Sequence, residues 1–203
     1  FQAEQANKQR RKYNMNEKKK SNLFSVKSMV FIAIFAALIC VAAPFSIPMP
    51  GAVPISLATF AIYLAGGLLG GKRATIAVVL YILIGAVGMP VFSGFAGGFA
   101  KLLGVTGGYI IGYIPLALIS GVFSDMPTKA HWTAPVGMVI GTVALYAFGT
   151  VWFMIATGSE LVPALMSCVI PFLIGDALKI VCASALTMPL KSALNNYLSD
   201  IKG

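Results

Sequence analysis

The chain has 203 residues, of which 58% are hydrophobic and only 10% are charged, and its mean hydropathy is +0.87. Soluble domains contain about 25% charged residues, so this composition excludes a water-soluble protein and predicts one bundle of membrane helices. The net charge of +9 comes mostly from basic residues before the first apolar run: Lys8, Arg10, Arg11, Lys12, Lys18, Lys19, Lys20 and Lys27.

Residues 1–26 are predicted to form a basic cytoplasmic tail. Met15, which begins the stretch MNEKKK, is a plausible natural start of the chain. Basic residues next to a membrane helix orient it toward the cytoplasm and contact anionic lipid. Nucleic-acid binding is not expected, because the charges are not interleaved with aromatic residues and belong to no recognition motif.

Six apolar segments are predicted to cross the lipid bilayer, since a helix of about 20 residues spans it. They are Ser28–Phe45, Val53–Gly70, Ala74–Met89, Gly108–Phe123, Trp132–Ala156 and Pro163–Leu190. With the basic tail in the cytoplasm, the remaining loop cations also fall inside, except Lys101. The sequence therefore predicts an all-α integral membrane protein of the cell membrane. Its six helices form a compact bundle over residues 27–190, with a short cytoplasmic tail, residues 191–203, at the other end.

Two long external segments are unusually apolar. PFSIPMPGAVPIS, between the first two predicted spans, holds four prolines and cannot be helical. GMPVFSGFAGGFAKLLGVTGGY, between the third and fourth, is rich in glycine and carries Phe92, Phe95 and Phe99. We expect both to fold over the bundle as a cap or as pocket walls, because irregular backbone is permitted at membrane depth where it lines a cavity. Ordinary linkers are the alternative.

Asp176 and Lys179 stand in the otherwise apolar run PFLIGDALKIV. A charge at the middle of a bilayer costs about 2.5–3.5 kcal/mol on insertion scales. At a separation of three residues the two side chains share a helix face and can partly neutralise each other. Pairing explains how they are tolerated, but not why they are present, since a buried pair seldom stabilises a protein more than apolar residues do. A ligand or ion site is the favoured interpretation, and a structural pair is the alternative.

The stretch GVTGGYIIGY suggests the start of a helix, with Thr106 as its N-cap. Backbone N–H groups of Gly107 and Gly108 would then suit an anion such as a carboxylate, and Lys101 lies just upstream. Close helix packing through Gly108 and Gly112 is an equally strong explanation. An enzyme is not expected, and neither is a metal or cofactor. The three cysteines are isolated, and the single histidine, His131, lies in a predicted loop.

Three stretches, VPISLATF, LYILIGAVGMPVFSGFAGGFAKLLGVTGGYIIGY and PFLIGDALKIV, resemble the BioY family, the biotin-specific S components of energy-coupling-factor (ECF) transporters. The resemblance covers about residues 27–190. It implies a six-helix protein with an external biotin pocket and the first external segment as a lid. It also implies a membrane coupling protein (the T component) and two cytoplasmic ATPases as partners. Ala33 and Ala37 would contact the coupling protein.

The chain departs from the family pattern at several positions. Val105 replaces a common proline before GGY, and Ala58 replaces a frequent glutamine. Ala96 and Ile110 stand where some members have asparagine and arginine. A carboxylate contact by those side chains is therefore not carried over, and Lys101 or the N–H groups of Gly107 and Gly108 could take its place.

Biotin chemistry agrees with the candidate residues. Asp176 suits the two ureido N–H groups, and Lys179 suits the ureido carbonyl. Phe92, Phe95, Phe99 and Tyr109 are candidate apolar walls. The tail carboxylate is expected near Lys101 and the Gly107–Gly108 helix start, although the opposite orientation, with Lys179 on that carboxylate, is left open.

The resulting prediction is a subunit that captures biotin outside the cell and delivers it inside through an ATP-driven importer. The alternatives are an S component for another vitamin, a proton-coupled secondary transporter using Asp176, and an intramembrane enzyme or structural subunit.

Overall fold

The computed structural model describes residue 5 and residues 25–47, 53–126 and 132–194. The predicted tails lie largely outside these ranges, as does His131. Within the described ranges the chain folds into helices and one short hairpin. In chain order these are α1 Val26–Ala42, β1 Ser46–Ile47, β2 Ile55–Ser56, α2 Ala58–Leu69, α3 Gly71–Ala86, α4 Phe99–Leu103, α5 Gly107–Ser124, α6 Thr133–Thr157, α7 Leu161–Cys168 and α8 Ile170–Ala193.

Each of the six predicted membrane segments overlaps one of the longer helices. Among the described residues, α5, α6 and α8 are long and apolar enough to cross a membrane, and α1 and α2 are shorter apolar helices. The number of crossings and the side on which each terminus lies therefore remain predictions.

The last predicted span, Pro163–Leu190, is wrong as a single helix. It is divided at Val169, whose φ of −123° and ψ of −55° separate α7 from α8. Pro171 explains the break, because a proline inside a continuous helix lacks the N–H group that the helix needs and clashes with the preceding turn. At the first turn of a new helix, where Pro171 lies, neither cost arises.

The second predicted span begins too early. Residues 53–57 are not helical, because Ile55 and Ser56 pair in an antiparallel hairpin with Ile47 and Ser46. Helix α2 begins at Ala58, whose N–H donates to the Ser56 hydroxyl oxygen at 3.0 Å. The prediction that the proline-rich segment is not helical holds for its described residues.

The break predicted between the second and third spans, at residues 71–73, is also wrong. A single residue, Gly70, with a φ of +82°, separates α2 from α3, and the following glycine, lysine and arginine belong to the first turn of α3. Arg73 is buried, and its Nε donates to the hydroxyl of Ser28 on α1 at 2.9 Å. The Gly71 N–H donates to the Asp125 carboxylate at 3.1 Å. These contacts tie α1, α3 and α5 together at one end of the bundle.

Small residues let the central helices approach closely, which positions the polar residues described below. A Cβ on Gly108 would overlap Trp152 of α6, and a Cβ on Gly112 would lie 2.9 Å from Leu145 of the same helix. The structure therefore supports the packing explanation for this glycine pair, which predicted close approach of two helices.

Candidate functional site

A cavity lies among α2, α5, α6 and α8, beside the hairpin that precedes α2. It contains about 470 Å³ of empty space, a figure that includes space open to solvent. The described residues that line it are Val53, Pro54, Ser56, Thr59, Ser93, Thr106, Tyr109, Ile110, Tyr113, Leu145, Tyr146, Phe172, Asp176 and Lys179.

The two charges that were singled out in the sequence meet at this cavity. Lys179 Nζ lies 3.0 Å from Asp176 Oδ1, and the side chains are only 12% and 6% exposed. Both belong to α8, whose opposite face carries exposed apolar residues such as Ile174 and Leu178. The pair therefore points into the bundle while the rest of the helix presents an apolar surface.

Two hydroxyl groups from other helices complete the surroundings of Asp176. Tyr146 on α6 donates to Asp176 Oδ2 at 2.7 Å, and Thr59 on α2 donates to Oδ1 at 3.3 Å. A carboxylate offers about four lone-pair directions. With three of them used by Tyr146, Thr59 and Lys179, Oδ2 keeps acceptor capacity.

All three ammonium hydrogens of Lys179 have protein acceptors. Nζ donates to the Ser56 backbone carbonyl at 2.7 Å, to the Thr59 hydroxyl at 3.1 Å and to Asp176. The Ser56 hydroxyl in turn donates to the carbonyl of Ala43, just after α1, at 2.7 Å. Lys179 therefore attaches the hairpin that precedes α2 to α8, in addition to neutralising Asp176.

The helix start at GGY differs from its prediction. Thr106 lines the cavity but makes no side-chain cap hydrogen bond to α5, so the predicted capping role is wrong. The Gly107 N–H donates to the Gly104 carbonyl at 2.9 Å, which leaves it unavailable to an anion in this state. Gly107 and Gly108 are not among the described residues that line the cavity, although the next residue, Tyr109, is.

Of the four predicted aromatic walls, Tyr109 lines the cavity, whereas Phe92, Phe95 and Phe99 do not belong to the described lining, and neither does Lys101. Phe92 is fully buried, edge-on to Tyr81 at a ring-centroid distance of 5.6 Å. Phe95 is exposed and edge-on to Phe45 at 5.7 Å, and Phe99 is exposed as well. Residues 48–52 lie outside the described ranges, so a role for these side chains in the complete external face stays a prediction.

Several lining residues were missed by sequence reasoning. Among the polar ones are Ser56, Thr59, Ser93, Tyr113 and Tyr146, and the apolar ones include Leu145 and Phe172. A weak signal was present, because Tyr109 and Tyr113 are four residues apart and therefore share a face of α5. Tyr146 gave no comparable signal, since a single tyrosine in an apolar helix usually indicates packing or a membrane interface.

The two alanines predicted to contact a partner lie on the outside of the bundle. Ala33 and Ala37 are exposed on α1, one turn apart, beside the exposed apolar side chains of Val30, Ile34 and Val41. The position is compatible with docking in the membrane.

The described residues contain no group of three or more His, Cys, Asp or Glu side chains arranged to hold a metal ion.

Comparison with known proteins agrees with this architecture. The BioY family model matches residues 15–196. The biotin transporter BioY of Thermotoga maritima is 36% identical over 166 residues, covering 82% of this chain and 96% of that protein. The probable biotin transporter BioY of Pyrococcus horikoshii is 35% identical, covering 75% of this chain and 89% of that protein.

A solved structure has the same fold. The S-component for biotin from an ECF-type ABC transporter superposes with a TM-score of 0.76 at 28% identity, covering 84% of this chain and 94% of that one. The long apolar helices and these similarities identify a multi-pass protein of the cell membrane. The resemblance found in the sequence motifs is therefore confirmed, and the chain belongs to the BioY family.

Proposed function

We propose that this chain is the substrate-binding subunit of an ATP-driven ECF-type importer, which captures biotin outside the cell and delivers it to the cytoplasm. One observation carries the proposal: a buried carboxylate, Asp176, faces a cavity inside the helix bundle and keeps hydrogen-bonding capacity on Oδ2. The names of the relatives support biotin as the ligand.

In the proposed complex, Asp176 Oδ2 accepts a hydrogen bond from a ureido N–H of biotin. Hydrogen bonds to an ionised acceptor are among the stronger kind. Tyr146, which donates to the same oxygen at 2.7 Å, fixes the direction of the carboxylate. The ligand thus meets an acceptor that is already oriented.

Lys179 has a different part in this proposal from the one expected from sequence. Its three hydrogens already point to Ser56, Thr59 and Asp176. A contact with the ureido carbonyl would require it to give up one of these bonds. In the observed arrangement Lys179 forms an ion pair with Asp176 and attaches the hairpin to α8.

The apolar part of biotin fits the remaining lining. The thiophane ring and the alkyl chain need aliphatic and aromatic neighbours, which Leu145, Phe172, Ile110 and Tyr109 supply around the cavity. These residues come from α5, α6 and α8, so ligand binding would connect three helices.

The proposal assigns ATP hydrolysis to separate subunits. The sequence does not contain the phosphate-binding motif GxxxxGK[ST], because Arg73 follows the only GK pair. Two cytoplasmic ATPases and a membrane coupling protein are the proposed partners, with the exposed face of α1 around Ala33 and Ala37 as the docking surface for the coupling protein.

The test compares two aspartate variants of the purified full chain by calorimetric titration with biotin. Asp176→Asn is expected to weaken binding by at least about 30-fold, because it removes one partner of a buried charged hydrogen bond. Asp125→Asn is the matched control: it makes the same chemical change at the end of α5, on a residue outside the cavity lining. Unchanged affinity in Asp176→Asn, or no biotin binding by the parent chain, would overturn the proposal. Mass spectrometry of small molecules retained during purification checks the ligand independently.

A further inference from the structure

The cavity offers few groups that could pair with the negatively charged tail carboxylate of biotin. Among the described residues that line it, Lys179 alone carries a positive charge, and its three hydrogens are all directed at protein acceptors. Lys101 is partly buried, and it is not among the lining residues.

Hydroxyl groups supply the other polar surface of the cavity. Ser93, Thr106 and Tyr113 line it, and within the described part of the chain no hydrogen bond joins any of these three hydroxyls to another protein group. A hydroxyl both donates and accepts, whereas an ammonium group only donates. These groups can therefore serve a carboxylate or an uncharged carboxamide.

The cost of burying an unpaired charge also affects which tails, charged or uncharged, the cavity can accommodate. A carboxylate that leaves water without meeting a cation is strongly disfavoured. The cavity is partly open to solvent, so a carboxylate can keep water on one side while hydroxyls contact the other. An uncharged tail avoids this cost altogether.

We propose that the cavity binds the ligand tail through the hydroxyls of Ser93, Thr106 and Tyr113 rather than through an ion pair, so that the protein accepts biotin carboxamides as well as biotin. This inference rests on the proposed function and extends it by naming a wider substrate class. The charge on the tail is then not part of recognition, and selectivity resides in the ureido ring at Asp176.

The test is a calorimetric comparison of biotin with its primary amide, which has nearly the same shape and no charge. The purified full chain is expected to bind the amide within about fivefold of biotin, since even a solvated ion pair contributes up to about that factor in affinity. A larger loss would overturn the inference while leaving the proposed function standing. If biotin itself does not bind, both fail together.

Two kinds of variant distinguish binding of the ligand tail by the hydroxyls from binding by Lys179. Ser93→Ala, Thr106→Val and Tyr113→Phe each remove one hydroxyl, and at least one is expected to weaken biotin binding by about two- to tenfold. If none of the three does, the inference is wrong. Lys179→Met is expected to change the affinities for biotin and the amide by the same factor, within about threefold. A loss confined to biotin would place the tail carboxylate on Lys179 and overturn the inference.

Discussion

Gly107 lies where the loop after α4 turns into α5, and its replacement by alanine tests whether this glycine serves packing or ligand binding. A Cβ built on Gly107 would overlap the Leu102 carbonyl oxygen and would lie 2.6 Å from the Leu102 carbonyl carbon. Gly104, three residues earlier, provides the matched control. A Cβ there meets nothing closer than the Lys101 carbonyl oxygen at 3.4 Å.

The size of the effect follows from what the new methyl group would contact. At Gly107 the obstacle is backbone, which cannot move aside by changing a side-chain rotamer. Overpacking costs about 1–3 kcal/mol, and we expect the upper part of that range. For a chain of this length, about 3 kcal/mol lowers the melting temperature by roughly 6–12 °C. At Gly104 the φ of −72° and ψ of 179° suit alanine, so a small gain of about 0.4–1 kcal/mol is expected.

The assay is thermal unfolding of both variants in detergent, followed by intrinsic tryptophan fluorescence and repeated with biotin present. The reasoning predicts a lower melting temperature for Gly107→Ala and an equal or higher one for Gly104→Ala. If Gly107→Ala unfolded at the parent temperature but lost biotin binding, Gly107 would belong to the ligand site, and the packing argument would be refuted.

Three further predictions concern charge and docking. Arg73→Met is expected to destabilise the protein by about 1–3 kcal/mol, since a buried hydrogen-bond network loses its donor, whereas exposed Lys72→Met is expected to change the melting temperature little. Lys179→Met removes the 2.7 Å bond to the Ser56 carbonyl, so amide hydrogen exchange in residues 53–57 should accelerate about tenfold. Lys72→Met should leave that exchange unchanged. Ala33→Trp should retain biotin binding and prevent co-purification with the coupling protein; an intact complex would exclude this face of α1.

Sequence reasoning located the centre of the candidate site because charge is conspicuous in an apolar helix. Asp176 and Lys179 lie three residues apart, so helical geometry alone predicted that they would meet. The stretch that holds them, PFLIGDALKIV, is also one of the three that carry the family resemblance. The prolines of the segment before α2 also correctly excluded a helix over the described residues of that segment, because proline removes backbone donors.

The residues that surround this pair could not be predicted in the same way. Thr59 and Tyr146 reach Asp176 from positions 117 and 30 residues away in the chain, and nothing local in a helix specifies which distant helix packs against it. Helix ends were misplaced for a related reason. The segments on both sides of Val169 are apolar, so only the backbone chemistry of Pro171 marks the break between α7 and α8.

The contact between Asp176 and Lys179 has an electrical consequence. Moving one elementary charge across a membrane takes about 2.3 kcal/mol for every 100 mV of transmembrane potential. The two groups carry opposite charges on one helix, 3.0 Å apart, and so move as a neutral unit. Any displacement of α8 along the membrane normal therefore does no net work against the field on their account, and such a motion need not slow as the cell's resting voltage rises.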